Sequence, residues 1–405
     1  MSQALPAVLE NVVQGQTCAG CGLCAGIDKG IALRRDARGF FRPEAVGEVA
    51  PRTAALMEAA CPGARVAPFH EAPNRHPLWG PWWRCLTGHS TDPEIRHTGS
   101  SGGVVSALAL YLLETGEADR VMQVAMDPAR PLETIAWRAT DRAGVLAAAG
   151  SRYAPASPLA TLMEALATPG RLVFVGKPCD AGALRQLAAA DPAIGARFAA
   201  ILSFFCAATP SQLGTTRIVE AIGAPADEVV AFRYRGEGWP GSAAARLADG
   251  SERRMSYADS WGSILSKEVQ FRCKICPDAV GGVADVAAAD AWHGGKDGYP
   301  DFEEADGRSL ILTRTERGDR LVAAAEAAGR LATQPLDIAE VELMQPHQAQ
   351  RRRHLSARAL AVRLTGEFLP RMEGLDLAEA ARGEPLLPRL KATAGLVRRI
   401  LQGRR

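Results

Sequence analysis

The chain has 405 residues, a net charge of +2, 47% hydrophobic residues and 6% aromatic ones. That length asks for two or three folded units, and the apolar content is ample for their cores. Near-neutral charge and scarce aromatics argue against nucleic acid, no apolar run reaches membrane-spanning length, and no basic-then-apolar leader opens the chain.

The chain is therefore expected in the cytosol, where structural disulfides are rare. Its nine cysteines stand in motif-like spacing and read as cofactor ligands. Thr17-Cys18-Ala19-Gly20-Cys21-Gly22-Leu23-Cys24 comes first. This C-x2-C-x2-C run resembles the opening of a bacterial ferredoxin motif, whose last cysteine precedes proline. Cys61-Pro62 fits that role, and a helix over 51–60 would bring it back to the others. A zinc ion would also accept four thiolates.

Residues 67–81 are rich in Pro, His and Asn and read as a linker. Trp79, Trp82 and Trp83 follow as core or interface packing, with cofactor cover as the other reading. Cys85 has no partner spacing and reads as a buried free cysteine. Next, His97-Thr98-Gly99-Ser100-Ser101-Gly102-Gly103 runs into a helix over 104–113 that stops at Gly116. A Gly/Ser loop that opens a helix is a phosphate or flavin cradle. It is equally a tight turn with an N-cap.

A strand over 120–126 follows, then Gly150-Ser151-Arg152-Tyr153-Ala154-Pro155 and a helix over 159–167. Gly176-Lys177-Pro178-Cys179-Asp180 comes straight after a strand over 171–175, and Cys206 after a strand over 199–205. Helices over 181–190 and 210–222 complete a strand–helix alternation that marks a parallel sheet. Both cysteines are thus placed at carboxyl ends of strands, where open α/β sheets bind ligands.

The texture changes at 232–241, and 244–247 with 253–257 reads as a β-hairpin. Arg272-Cys273-Lys274-Ile275-Cys276-Pro277-Asp278 adds two thiols at C-x-x-C spacing. A strand that starts at Ala284 would end at Asp290-Ala291-Trp292, close to those cysteines. A strand over 309–314 and an amphipathic helix over 318–328 follow. In the tail, 350–353 is basic. Residues 387–405 set Arg389, Lys391, Arg398, Arg399, Arg404 and Arg405 against an apolar stripe. Such a helix packs on its own domain; contact with a membrane surface is the second reading.

Eight cysteines fall into two sets of four: Cys18, Cys21, Cys24, Cys61, and Cys179, Cys206, Cys273, Cys276. Scattered ligands on strand ends suit a buried redox cluster better than a structural zinc, which usually takes two short knuckles. Clusters beside a flavin cradle would join one-electron to two-electron chemistry.

Taken together, Thr98–Gly103, Gly176–Asp180, Phe205–Cys206, Arg272–Asp278 and Ala284–Trp292 resemble the coenzyme F420 hydrogenase/dehydrogenase beta-subunit family. The resemblance covers roughly 82–313, with the ferredoxin-like segment in front. It implies FAD and two [4Fe-4S] clusters. Cofactor contacts would come from Thr98, Gly99, Ser100, Ser101, Gly102, Gly103, Tyr153 and Lys177, and Cys179, Cys206, Cys273 and Cys276 would share one cluster. Lys177 and Asp180 stand where many hydrogenase subunits have Thr and Gln, which resembles the reductase-like branch of the family. Both are candidate catalytic residues. Lys177 would favour an anionic reduced flavin by charge, or form a surface salt bridge. Asp180, Asp278 and Asp290 could position a proton or cap turns. His97 and His293 read as solvated loop residues or as acids.

The expected fold is α/β: a mixed-sheet flavin-binding core over 79–330, a small ferredoxin-like part over 1–78 and a helical tail over 331–405. The expected function is an iron–sulfur flavoprotein oxidoreductase. Electrons would pass between a ferredoxin-type donor, the clusters and FAD, with hydride transfer to or from an organic substrate. The alternative is an electron-transfer beta subunit of a larger hydrogenase or dehydrogenase complex, with coenzyme F420 as one candidate substrate. A zinc-stabilised binding protein is the third reading. A homo-oligomer is expected, with no nucleic-acid partner.

Overall fold

The computed structural model describes residues 4–294 and 301–403. Its centre is an eight-stranded mixed sheet. In spatial order the strands are Leu331–Pro335, Cys85–Ser90, Ser309–Thr313, Val286–Asp290, Phe198–Phe204, Leu172–Val175, Arg120–Asp127 and Arg130–Ala139. The four strands from Val286–Asp290 to Arg120–Asp127 pair in parallel. The flanking pairs are antiparallel. The carboxyl ends of the parallel strands therefore lie along one edge of the sheet.

Local pattern accounts for the parallel part. Leu172–Val175 and Phe198–Phe204 are continuous apolar runs, which strands covered on both faces require. The helix Pro178–Ala190 packs on one face and Val104–Glu114 on the other. The hairpin read at 244–257 forms as Ser242–Leu247 against Glu252–Ser256. The stretch read as one helix over 159–167 splits into a 3-10 turn, Pro158–Thr161, and a short α-helix, Leu162–Ala167.

Residues 67–81 are not a free linker. Asn74–His76 pairs with Gly80–Trp82, and Phe69, Leu78 and Trp79 are buried. The Pro/His/Asn composition reflects a tight path over the core, with the large apolar side chains turned inward. Trp79 stacks on Phe205 with ring centroids 5.9 Å apart and packs with buried Cys85. Both residues are packing residues.

The N-terminal segment shares the main core. Helices Ala7–Gln14 and Pro51–Ala60 flank the cysteine loop, and Leu9, Val12 and Met57 cluster with Phe174, Leu184 and Leu187. The tail also packs on the core. Its last helix, Leu386–Leu401, lies on Leu355–Leu364, and Leu396 and Ile400 bury against Phe271 and Ile275 of the C-x-x-C loop. Arg404 and Arg405 lie outside the described residues.

Candidate functional site

The loop after Phe204 runs antiparallel to the C-x-x-C segment. Pro210 bridges Val269, Ser211 N donates to Glu268 O at 2.9 Å, and Cys206 N donates to Ala279 O at 2.8 Å. Thr209 N points at Cys273 Sγ at 3.3 Å. This ladder sets Cys206 beside Cys273 and Cys276. Cys179 arrives separately, in the first turn of the helix Pro178–Ala190. Burial pushes the Cys179 thiol up, and Asp180, Cys206 and Cys276 add to the shift. Burial likewise takes Cys206 up to about 12, with Cys273 and Cys276 adding to it. The four thiols thus share one electrostatic environment.

The first set converges in the same way. Cys24 opens a short helix, Leu23–Ile27, and Cys61 caps Pro51–Ala60, its N–H bonded to Met57 O at 3.0 Å. Burial raises the Cys24 thiol, reinforced by Cys18 and Cys61. Cys61 rises to about 11, through burial and then Cys18. Among the described residues, no three His, Cys, Asp or Glu side chains meet closely enough to hold a single metal ion. The soft, all-sulfur donors of each set suit iron–sulfur chemistry.

A cavity of ≈260 Å3 opens at the carboxyl ends of the parallel strands. Its wall includes Gly99, Ser100, Ser101 and Gly103 of the Gly/Ser loop, Tyr153, Lys177, Asp180, Cys206 and the strand-end residue Asp290. Most of the cofactor-facing residues expected from the sequence therefore meet here. Gly103 has φ +73° and no side chain caps the helix that follows. The first-turn residues Val104, Val105 and Ser106 line the cavity, so this N-terminus is placed to receive an anionic or polar ligand group. Ser100 Oγ is buried without a hydrogen-bond partner. An orphaned hydroxyl on a cavity wall fits a bound polar cofactor.

Two residues of the loop stand elsewhere. Thr98 faces an adjoining cavity of ≈240 Å3, walled also by Arg152, Arg233 and Arg235. Gly102 turns away from the larger cavity. Its N–H donates to Ser309 Oγ at 2.9 Å, and a Cβ there would stand 2.7 Å from Gly88 O and 2.9 Å from Ser309 N. Glycine is needed at 102 for packing on the sheet. Gly102→Val is thus expected to destabilise the fold by about 1–3 kcal/mol through overpacking, as read in a denaturation midpoint. A variant of wild-type stability would refute this.

Lys177 Nζ meets Asp180 Oδ2 at 2.6 Å; Asp180 is buried and Lys177 half-buried. Burial works against the Lys177 charge, but Asp180 and the nearby Cys179 and Cys206 thiols outweigh it and raise its pKa. The salt bridge forms, and it lies at the cavity wall. Asp278 caps a turn, accepting from Val280 N and Gly282 N. His97 and His293 are exposed and line neither cavity.

Asp290 holds Arg235 with two 2.9 Å bonds and accepts from Trp239 Nε1 at 2.7 Å. Arg235 in turn lies over the rings of Tyr257 and Trp292. Nothing local in the sequence marks Arg235 as Asp290's partner. The tail residues Arg351 and Arg352 were equally hidden in a basic run. Arg351 donates to the carbonyls of Cys206 and Ala207. Arg352, fully buried, donates to the carbonyls of Pro277, Pro77 and Leu375.

Two family models match this chain: the coenzyme F420 hydrogenase/dehydrogenase beta subunit N-terminal model over residues 85–164 and its C-terminal model over residues 170–339. Together they span well over half of it. The chain belongs to the coenzyme F420 hydrogenase/dehydrogenase beta-subunit family. Within the family it is 28% identical to the coenzyme F420 hydrogenase subunit beta of Methanococcus voltae, over 64% of this chain and 86% of that protein. It is 24% identical to the coenzyme F420-dependent sulfite reductase of Methanocaldococcus jannaschii, over 78% of this chain and 47% of that protein. A chain of the F420-reducing [NiFe] hydrogenase complex from Methanosarcina barkeri shares the fold, with a TM-score of 0.55 and 23% identity. That match covers 71% of this chain and 96% of that one. These beta-subunit relatives are components of oxidoreductases. The cysteines Cys18 to Cys61 lie outside both matched ranges. No helix among the described residues is long and apolar enough to cross a membrane.

Proposed function

We propose that the chain is the electron-transferring flavoprotein component of an oxidoreductase, with FAD in the large cavity and a [4Fe-4S] cluster on each set of four cysteines. The observation that carries this reading is the position of Cys206. It belongs to the second thiol set and also lines the cavity, so that cluster and the flavin would be immediate neighbours. Bound flavin would supply the exchange between electron pairs and single electrons.

The residues of the chain have separable roles in this reading. The uncapped helix start after Gly103 and the Ser100 hydroxyl bind the cofactor's polar groups. Lys177, fixed by Asp180, favours negative charge at the cavity wall. Tyr257 and Trp292, packed on Arg235, close one side against water. Arg351 and Gln348 hold the carbonyl of Cys206 and so fix the loop between cluster and cavity. Electrons would come from a partner oxidoreductase subunit or a ferredoxin-type carrier, and the flavin would exchange a hydride with a small organic molecule such as coenzyme F420. The names of the relatives favour the subunit role over a self-sufficient enzyme.

Anaerobic reconstitution tests the assignment. The expected content is one FAD and roughly eight irons per chain, four for each four-cysteine set. A colourless protein with stoichiometric zinc would overturn it. Cys21→Ser should lower iron by roughly four per chain and leave flavin in place; unchanged iron would remove Cys21 from the ligand set.

A further inference from the structure

Arg272 stands where the two thiol sets approach each other, and most of its hydrogen-bonding capacity is unspent. The residue is 3% exposed. Its Nη2 donates to the carbonyl of Pro62 at 3.1 Å, directly after Cys61. Its Nε and Nη1 are buried without a hydrogen-bond partner. A small cavity of ≈10 Å3 opens beside it, walled by Pro62, Cys179 and Cys276 among others. Arg272 directly precedes Cys273 in the chain and shares this cavity with Cys179 and Cys276.

A buried guanidinium with two idle donors is costly unless negative charge faces it. One carboxylate, Asp278, lines the same cavity, but it is spent on the N–H groups of Val280 and Gly282; the other groups there able to carry negative charge are the cysteine thiols. Four thiolates around iron carry that charge, and one electron added to the centre increases it. A fixed cation beside such a centre favours its reduced form and raises its potential.

We propose that Arg272 is the positioning residue that couples the two four-cysteine sites, favouring the arrival of an electron at the Cys179–Cys206–Cys273–Cys276 centre from the Cys18–Cys61 side. One electron leaves the first centre and enters the second; no bond forms or breaks. The inference rests on the cluster assignment made above. It adds a direction, because the cation sits in the second set and touches the first only at Pro62.

The experiment is redox potentiometry, followed by electron paramagnetic resonance, on the full-length chain reconstituted with iron and sulfide. It compares wild type with Arg272→Met and Arg272→Lys, with iron counted in each. In Arg272→Met the second centre should become harder to reduce by at least tenfold in its equilibrium constant, about 59 mV for one electron. The first centre should move less. Arg272→Lys keeps the charge without the planar fork, and its shift should fall between wild type and Arg272→Met. If Arg272→Met fails to hold iron, a shift of the same sign in a loaded Arg272→Lys supports the proposal. Unchanged potentials in a loaded variant overturn it and leave the cluster assignment standing, and so do equal shifts of both centres. Loss of both centres in both variants makes Arg272 merely structural and also overturns it. A wild-type chain that takes up no iron overturns the cluster reading itself.

Discussion

Cys276→Ala is expected to cut iron by roughly half, four of about eight atoms, and to stop one-electron protein donors from reducing the flavin. Cys276 is the second thiol of the C-x-x-C loop, and its own surroundings are built around that role. Burial raises its thiol while Arg272 and Arg351 pull it back toward the thiolate. The loop is held independently of the cluster, by Arg352 on Pro277 O and by Phe271 and Ile275 packed under the tail helices. The chain should therefore still fold, keep FAD and keep the Cys18–Cys61 centre. Direct chemical reduction of the flavin should survive. Iron and flavin analysis with stopped-flow reduction checks each part. If protein donors still reduce the flavin at the wild-type rate, the second thiol set is not on the electron path.

The second large effect is on stability. Asp290→Ala should cost about 3–5 kcal/mol, because it strands the buried charge of Arg235. The Arg235 side chain is 2% exposed. Asp290 neutralises it with both carboxylate oxygens and also accepts from Trp239 Nε1. The loss would also loosen Tyr257 and Trp292, the aromatic wall of the cavity, on which Arg235 lies. Flavin affinity should fall along with stability. Asp290→Asn keeps an acceptor and most of the shape, so it should cost less. Denaturant midpoints of the cofactor-free chain, followed by tryptophan fluorescence, would measure both. A cost below about 1 kcal/mol for the alanine variant would mean that Arg235 finds another acceptor or solvent.

The sequence was informative wherever the determining interactions are short-range. The apolar runs that became Leu172–Val175 and Phe198–Phe204 are too continuous for half-exposed strands, and each is followed by a cysteine motif. Their meeting at one sheet edge follows from the parallel pairing that the strand–helix alternation demands. The helix Pro51–Ala60, which returns Cys61 toward Cys18, was legible from its proline start and the proline after it. The uncapped helix start after the Gly/Ser loop was legible because glycine before an apolar helix leaves the first-turn N–H groups open.

Other features lie beyond local pattern. Cys85–Ser90 enters the sheet between Ser309–Thr313 and Leu331–Pro335, partners more than two hundred residues away, and no periodicity within six residues encodes that register. Gly102 looks like its neighbours in the loop, yet it serves the packing behind the cavity, because the close approach of Gly88 and Ser309 exists only once three distant segments meet. Charge is the least local property of all. Arg235, Arg272, Arg351 and Arg352 read as ordinary basic residues, since a guanidinium declares its role only through the group it faces. Two of them face carbonyls, one a carboxylate, and Arg272 a carbonyl and the thiols. By itself the sequence determined which cysteines belong to a ligand pattern and which strands carry them. Tertiary structure alone decided which buried cations hold those cysteines in place, because the pairing depends on contacts between segments that the chain keeps far apart.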